Sequence, residues 1–219
     1  MHFRLKESFC SNPRKIVNFW LTPESAAVME HVLAIPHKTL ANNTEWALGI
    51  VTGNNSKHVH SQSREGLVPV FKGSDITTSG VKTATHFISE DFSTFQQVAP
   101  LKYYKAKEKI IYKFISSKLV FHHDTKQRYI LNSANLLIPS CDLGINAKQL
   151  ADLLSSDLMN WVFNSLFKTH KILRKDLELL PIHVGYFDEN ENFQESTYLD
   201  FLGLLKDANG TYRIKAKNN

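Results

Sequence analysis

Residues able to do chemistry are plentiful in this 219-residue chain, but few stand at spacings that a reaction needs. The run Asp188, Asn190, Asn192 imitates the start of a calcium loop. Phe193, however, stands where the loop needs glycine, and Leu199 where it needs a bidentate glutamate, so a solvated acidic turn is the preferred reading. Among the ten histidines, His58 and His60 alternate and His122 and His123 are adjacent. Neighbours on a strand point to opposite faces, and a metal needs three or four ligands at fixed spacing, so these read as surface and strand-edge histidines with no metal. Neither GxxxxGK[ST] nor GxGxxG occurs, so no phosphate-cradling glycine loop of the nucleotide-binding kinds is present, and no GxSxG elbow is found. Cys10 and Cys141 stand far apart and form no CxxC pair, so neither a disulfide framework nor a thiolate zinc site is expected, and a reducing compartment suits the chain.

Loop chemistry is more informative. The apolar run at 48–51 enters Thr52-Gly53-Asn54-Asn55, followed by Lys57 and His58. Such a turn exposes amides, two carboxamides and a cation, the groups that contact phosphates and base edges. A second loop, Phe71-Lys72-Gly73-Ser74-Asp75, offers lysine, hydroxyl and a flexible glycine, with Asp75 free to cap Thr77 or Thr78. Between 100 and 130, eight Lys and Arg face only Glu108 and Asp124, and they interleave with Tyr103, Tyr104, Tyr112 and Phe114. From 185 to 207 six acids oppose Lys206 alone. One part of the chain can therefore attract a polyanion and the other cannot, although the overall surplus is only +5.

The elements that must position these groups fall into a β-then-α order. Residues 1–20 mix basic, polar and aromatic side chains without period and read as an incoming segment or a packed arm. Thr22-Pro23-Glu24 opens a helix with a cap, a proline at its first position and an acid at its positive end; Pro36 closes it. Strands are predicted near 46–52, 68–72, 85–89, 109–115, 118–123, 128–132 and 134–138. After Pro139, Leu150, Leu153, Leu154, Leu158, Trp161, Val162 and Leu166 recur at helical steps, predicting one helix of roughly five turns. Tyr198, Phe201, Leu202 and Leu205 repeat the pattern, so two helices are expected to pack as a hairpin. The organisation predicted is an entry segment and short helix over 1–44, a β-rich part over 45–140, and a helical hairpin with an acidic tail over 141–219. The class is α+β. No signal peptide is visible, and the apolar stretch 150–167 is interrupted by Asp152, Asp157 and Asn160, so the expectation is a soluble, cytoplasmic protein without a membrane partner.

Taken in order, ALGIVTGNN (47–55), PVFKGSDI (69–76), FQQVAP (95–100), KEKIIYKFISSKLVFHHD (107–124), YILNSANLLIP (129–139), LADLLSSDLMNWVFNSLF (150–167) and ILRKDLELLPI (172–182) resemble one family. It is the TaqI-like C-terminal specificity domain, the target-recognition domain of type IIG and related restriction-modification N6-adenine methyltransferases. The resemblance implies an N-terminal part of double-β-helix character followed by an α-hairpin. It implies a partner, double-stranded DNA, gripped opposite a covalently linked or associated methyltransferase catalytic domain that flips an adenine and methylates it from S-adenosylmethionine. That domain's Asn/Asp-Pro-Pro-aromatic motif is absent here, since Asn12-Pro13-Arg14 is no match, and so is the Pro-Asp…Asp/Glu-x-Lys pattern of common nucleases. This fragment is therefore expected to be non-catalytic and without a cofactor of its own, the parent being a methyltransferase with or without a fused endonuclease. The candidate DNA contacts are Asn54, Asn55, Lys57, Lys72, Ser74, Lys82, Lys113, Arg128, Lys168, Lys171 and Arg174. The alternative is a protein-docking specificity module that binds a separately encoded methyltransferase subunit through its apolar hairpin.

Overall fold

The computed structural model describes residues 12–216; of the incoming segment, residues 1–11 lie outside them. Helix α1, Pro23–Ala34, begins and ends where its sequence signals place it. The Thr22 hydroxyl accepts from the Ser25 amide at 3.2 Å, and Ala26, Val28, Met29 and Val32 are buried.

Four antiparallel strands form the central sheet: β1 (Thr44–Leu48), β6 (Lys109–Lys113), β7 (Phe121–Asp124) and β9 (Ala134–Pro139), in the order β1-β9-β6-β7. The register puts Trp46 and Ile110 beside Leu137, and Ala47 and Ile111 beside Leu136. Period-2 alternation then divides the core. Ile110, Tyr112, Phe121 and Leu137 pack with α1 and the C-terminal elements, while Ala47, Ile111, Ala134 and Leu136 pack with a second β layer. The sheet is thus a wall apolar on both faces.

The second layer holds β2 (Leu67–Phe71) between β5 (His86–Ser89), antiparallel to it, and β8 (Tyr129–Ile130), parallel to it. A small hairpin, β3 (Ile76–Thr77) and β4 (Gly80–Val81), follows β2. Each predicted strand has a counterpart, with shifted bounds: 68–72 moves back by one residue as β2, 134–138 lengthens by one as β9, 46–52 moves back to β1 and leaves only single bridges at Ile50 and Val51, and 118–123 shortens to β7. Pro69 sits inside β2, a strand with neighbours on both sides. Phe71 turns its carbonyl toward β8, so residue 69 faces the same way, but β8 pairs only with Val70 and Phe71. The missing N–H of Pro69 therefore falls beside a gap in the sheet and loses no ladder bond.

The C-terminal half departs from expectation. The predicted five-turn helix is two, α4 (Ala147–Leu154) and α5 (Asp157–Phe167), broken at Ser155-Ser156. Both serines satisfy backbone groups elsewhere. Ser155 Oγ accepts from the Phe121 amide at 3.1 Å and donates to the Phe121 carbonyl at 3.2 Å, covering the edge strand β7; Ser156 Oγ caps α5 through the Met159 amide at 3.1 Å. The apolar stripe survives the break because Leu150, Leu153, Leu154, Leu158, Val162 and Leu166 all enter one core. The two-helix hairpin is replaced, among the described residues, by a longer path. Two short helices, α2 (Asn55–His58) and α3 (Leu101–Tyr104), lie in the β part; after α5 come α6 (Arg174–Leu177), α7 (Glu195–Phe201) and a hairpin of β10 (Leu204–Lys206) and β11 (Tyr212–Ile214). Gly203 in the left-handed region (φ +63) turns the chain out of α7 before Leu205 can extend it. The expected acidic tail is therefore folded structure. Glu195 accepts from the amides of Asp157 and Leu158 at the start of α5, Asp200 pairs with Lys215, and Asp207 closes the β10–β11 turn.

Candidate nucleic-acid interface

Five strand ends meet at the turn 131–134, which closes with Ala134 N–H donating to the Leu131 carbonyl at 2.8 Å. The ends of β1 and β2 are held by Gly49 N–H to Ala134 O (3.1 Å), Asn132 N–H to Ile50 O (3.1 Å) and Leu131 N–H to Phe71 O (2.8 Å). Ser133 ties in two more segments: its Oγ accepts from the Gly73 amide at 2.9 Å, and its carbonyl accepts from the Phe114 amide, just past β6, at 3.1 Å. The approach is too close for a side chain at either glycine. A Cβ on Gly49 would lie 2.2 Å from the Leu131 oxygen, and one on Gly73 2.3 Å from the Ser133 oxygen. Two bonds then carry the edge onward, Ile172 N–H to Phe114 O (2.8 Å) and Ser116 N–H to His170 O (2.9 Å), which set Lys171 across from Ile115.

This hub brings together most of the residues selected from sequence. In the first loop, Asn54 caps α2, its Oδ1 accepting from the Lys57 amide (3.2 Å) and the Ser56 hydroxyl (2.7 Å), and Asn55 Oδ1 accepts from Thr52 Oγ1 at 2.6 Å. With both carboxamide oxygens engaged, the two asparagines present N–H donors outward, and Lys57 is exposed beside them. In the second loop Asp75 caps neither Thr77 nor Thr78: its Oδ2 accepts from the Lys72 amide at 2.7 Å, closing the turn on itself. Ser74 is exposed on that turn, and Lys82 reaches it through its own amide on the Asp75 carbonyl at 2.9 Å. Lys72 Nζ donates to His86 Nε2 at 2.8 Å. Lys113 lies half-buried at the end of β6, on the face that Ile111 shares.

Lys168 and Arg174 make none of the hub's hydrogen bonds, although Arg174 lines a small pocket with Leu48 and Asn135 beside it. Lys168, left-handed at the end of α5 (φ 44), stands over the Trp20 ring at 5.8 Å. Arg174 pairs with Glu178 at 2.7 Å and stands over Trp46 at 5.6 Å. Among the described residues Lys57, Lys72, Lys82, Lys113, Lys168 and Lys171 have no carboxylate partner, whereas both arginines do. Asn132 and Ser133, exposed at the centre of the hub, were not selected from sequence. The signal was there, an Asn-Ser pair between two β-rich runs, but it marks a turn without saying that four other segments bind it.

Behind the second loop lies a cleft of about 480 Å³ where β8 stops short of Pro69; Val68, Phe71, Val81, Ala84 and Tyr129 wall it, and Lys82, Lys126 and Arg128 stand at its polar side. Arg128 is fixed from behind. Asp124, fully buried, accepts from Lys109 Nζ at 2.6 Å, from the Arg128 amide at 2.9 Å, from the Lys126 amide at 3.2 Å and from Arg128 Nη1. Lys109 Nζ, also fully buried, donates to the Tyr104 carbonyl at 2.7 Å as well. Burial works against the charge of Lys109 and lowers its pKa in spite of Asp124. Burial likewise opposes the Asp124 carboxylate, but the bonds from Lys109 and Arg128 outweigh it and hold its pKa below the ordinary value. On β7, His122 has its pKa lowered by burial and then by the nearby Arg128 charge. No three His, Cys, Asp or Glu side chains converge as a metal set among the described residues, and no helix among them is long and apolar enough to cross a membrane.

Loops carrying lysines without a carboxylate partner are thus held on the ends of a double-layered β scaffold. Residues 68–182, more than half of the chain, match the family described as the TaqI-like C-terminal specificity domain, and the chain belongs to that family. Over 72 residues it is 51% identical to the type II methyltransferase M.VspI of Vibrio sp. (strain 343), a match covering 33% of this chain and 18% of that protein. A chain from a structural study of complex assembly and conformational transition in the type I R-M system aligns over 81% of this chain and 46% of its own length, at 16% identity and a TM-score of 0.40.

Proposed function

We propose that this chain is the target-recognition part of a restriction-modification adenine methyltransferase, reading double-stranded DNA through the loops gathered at the 131–134 turn. The observation that supports it most directly is that convergence, within a chain of this specificity-domain family. Asn54, Asn55 and Ser74 supply donors for base edges, and Lys57, Lys72, Lys82, Lys113 and Lys171 neutralise phosphates. Lys168 and Arg174 lie further along the same path and serve as outer backbone contacts. The β part is of double-β-helix type, a reading supported by the chain's repeated crossing between the two sheets. Methyl transfer from S-adenosylmethionine belongs to a catalytic domain, linked to or associated with this chain in the cytoplasm, and this fragment performs no chemistry of its own.

The test is selection of a randomised duplex library on the purified chain at low and moderate salt. An enriched motif that survives the higher salt supports the reading. Removing three of the unpaired lysines, as Lys57→Ala, Lys72→Ala and Lys113→Ala together, is expected to leave the motif intact and to lower the slope of log K against log salt by about 2 to 3. No retention at either salt would overturn it in favour of a module that docks on a separately encoded methyltransferase subunit.

A further inference from the structure

Resting on that reading, we infer that Arg128 is a specificity-determining residue whose free guanidinium edge takes a pair of adjacent acceptor atoms of the bound DNA, with Asp124 and Lys109 as its positioning residues. Three observations carry this. First, the guanidinium is oriented before any ligand arrives. Nη1 is held by Asp124, the Arg128 amide binds the same carboxylate, and the guanidinium carbon stands over the Phe71 ring at 5.5 Å, so its plane cannot swing freely. Second, Nε and Nη2, which together make one fork, have no partner among the described residues, and the side chain lines an apolar-walled cleft instead of pointing into bulk water. A donor fork of this kind matches two acceptors side by side, as in the O6 and N7 of a guanine or two oxygens of one phosphate. Third, charge is left over. Lys109 and Arg128 share the single carboxylate of Asp124, so the cluster holds one positive charge in excess, and its accessible end is Arg128.

The neighbours suit a nucleic-acid ligand. Lys82 and Lys126 flank the cleft and can meet the phosphates on either side, while Phe71 and Tyr129 offer aromatic surface. Gln127, held left-handed at φ +52, turns the chain so that Arg128 follows Lys126 into the cleft wall. In the sequence this residue was one basic side chain among eight; only the burial of Asp124 and Lys109 distinguishes it from an exposed phosphate contact.

The experiment compares the wild-type chain with Arg128→Lys and Arg128→Gln in the duplex selection, with thermal denaturation of each variant as a folding check. Lysine keeps the charge and loses the fork. If the fork reads guanine, Arg128→Lys relaxes the selected motif at one G·C position, with a loss of about 10-fold or more against the cognate duplex and little change on others. If it holds a phosphate, both variants lower affinity for all duplexes alike, and Arg128→Gln alone reduces the salt slope by about 1. Either result supports the fork site and assigns its source. Asp124→Asn, which weakens the orienting bond, is expected to reproduce the Arg128→Lys phenotype in part while Arg128 itself is present. Folded Arg128 variants with unchanged motif, affinity and salt slope would overturn this inference and leave the domain's wider role standing. A wild-type chain that retains no duplex would overturn the recognition reading on which it rests.

Discussion

Replacing Gly73 by alanine puts a methyl group where the Ser133 carbonyl oxygen already lies, at 2.3 Å, with the Ser133 carbonyl carbon at 3.1 Å. Ordinary contact begins near 3.4 Å, so the two backbones must part by roughly 1 Å. Overpacking of that size costs about 1–3 kcal/mol, and losing the bond from the Gly73 amide to Ser133 Oγ, 2.9 Å in the native turn, adds about 1 kcal/mol. For a chain of this length each kcal/mol lowers Tm by roughly 2–4 °C, so Gly73→Ala is expected to melt roughly 5–15 °C below wild type. Gly66→Ala is the control. Its φ is +74 but a Cβ there meets nothing within 4 Å, so only left-handed strain of about 1 kcal/mol is added. Calorimetry gives the melting points, and duplex binding gives the functional consequence. The Lys72–Asp75 turn should be displaced in Gly73→Ala, lowering affinity for the selected duplex at least 10-fold, while Gly66→Ala binds nearly as wild type. A Gly73→Ala protein that melts no lower than Gly66→Ala and binds as well would refute the hub as the organiser of the loops.

Two further outcomes follow from a buried and a half-buried group. His183 is fully buried, with Nε2–H donating to the Val32 carbonyl (3.0 Å) and Nδ1 accepting from the Tyr198 hydroxyl (2.6 Å); burial lowers its pKa to about 4 from 6.5. The unfolded chain takes up this proton first, so the stabilisation is complete above pH 6.5 and disappears as pH falls toward 4, a loss of about 3 kcal/mol. Urea titrations at pH 7 and 4.5 should show His183→Gln less stable at pH 7 but lacking most of that acid sensitivity, and an unchanged pH dependence would refute the assignment. Glu195→Ala removes the acceptor of the Asp157 and Leu158 amides (3.1 and 3.0 Å) and is expected to destabilise by about 1–2 kcal/mol, measured by urea denaturation, with Glu195→Gln restoring much of it. Equal destabilisation by both variants would mean that packing, and not capping, is what Glu195 supplies.

What could be read from sequence follows the range of each interaction. Strands whose β-rich runs sit between turn residues were found near their places, as was α1, because a Thr cap, a Pro at the first position and a terminating Pro act within a dozen residues. Ser155-Ser156 reads in the sequence as part of a continuous apolar stripe, since the stripe does continue. Breaking the helix depends on the backbone of Phe121, more than thirty residues away, being in reach of Ser155. Leu202 and Leu205 likewise extend a helical pattern over β10, where Gly203 decides otherwise, and β11 lies in the stretch expected as a tail. At the candidate interface, local chemistry picked out the Asn54 and Lys72 loops. Their meeting required the parallel pairing of β2 with β8, some sixty residues apart, and no local pattern encodes such a pairing.

Charge shows why counting was the weaker guide. The basic surplus between 100 and 130 includes Lys109, buried on Asp124, Arg128, which shares that carboxylate, and Lys102, paired with Glu45 across 57 positions. The acidic stretch after 185 is in turn offset by Lys215 on Asp200, Arg213 on Asp207 and the start of α5 on Glu195. Field at the proposed DNA-facing edge therefore draws on lysines from several parts of the chain, Lys57, Lys72, Lys82 and Lys171 together with Lys113 of that stretch, which have no carboxylate partner among the described residues. A polyanion would be steered to that edge by its unpaired charges and read there by groups whose own hydrogen bonds already fix their direction, as Thr52 fixes Asn55 and Asp124 fixes Arg128.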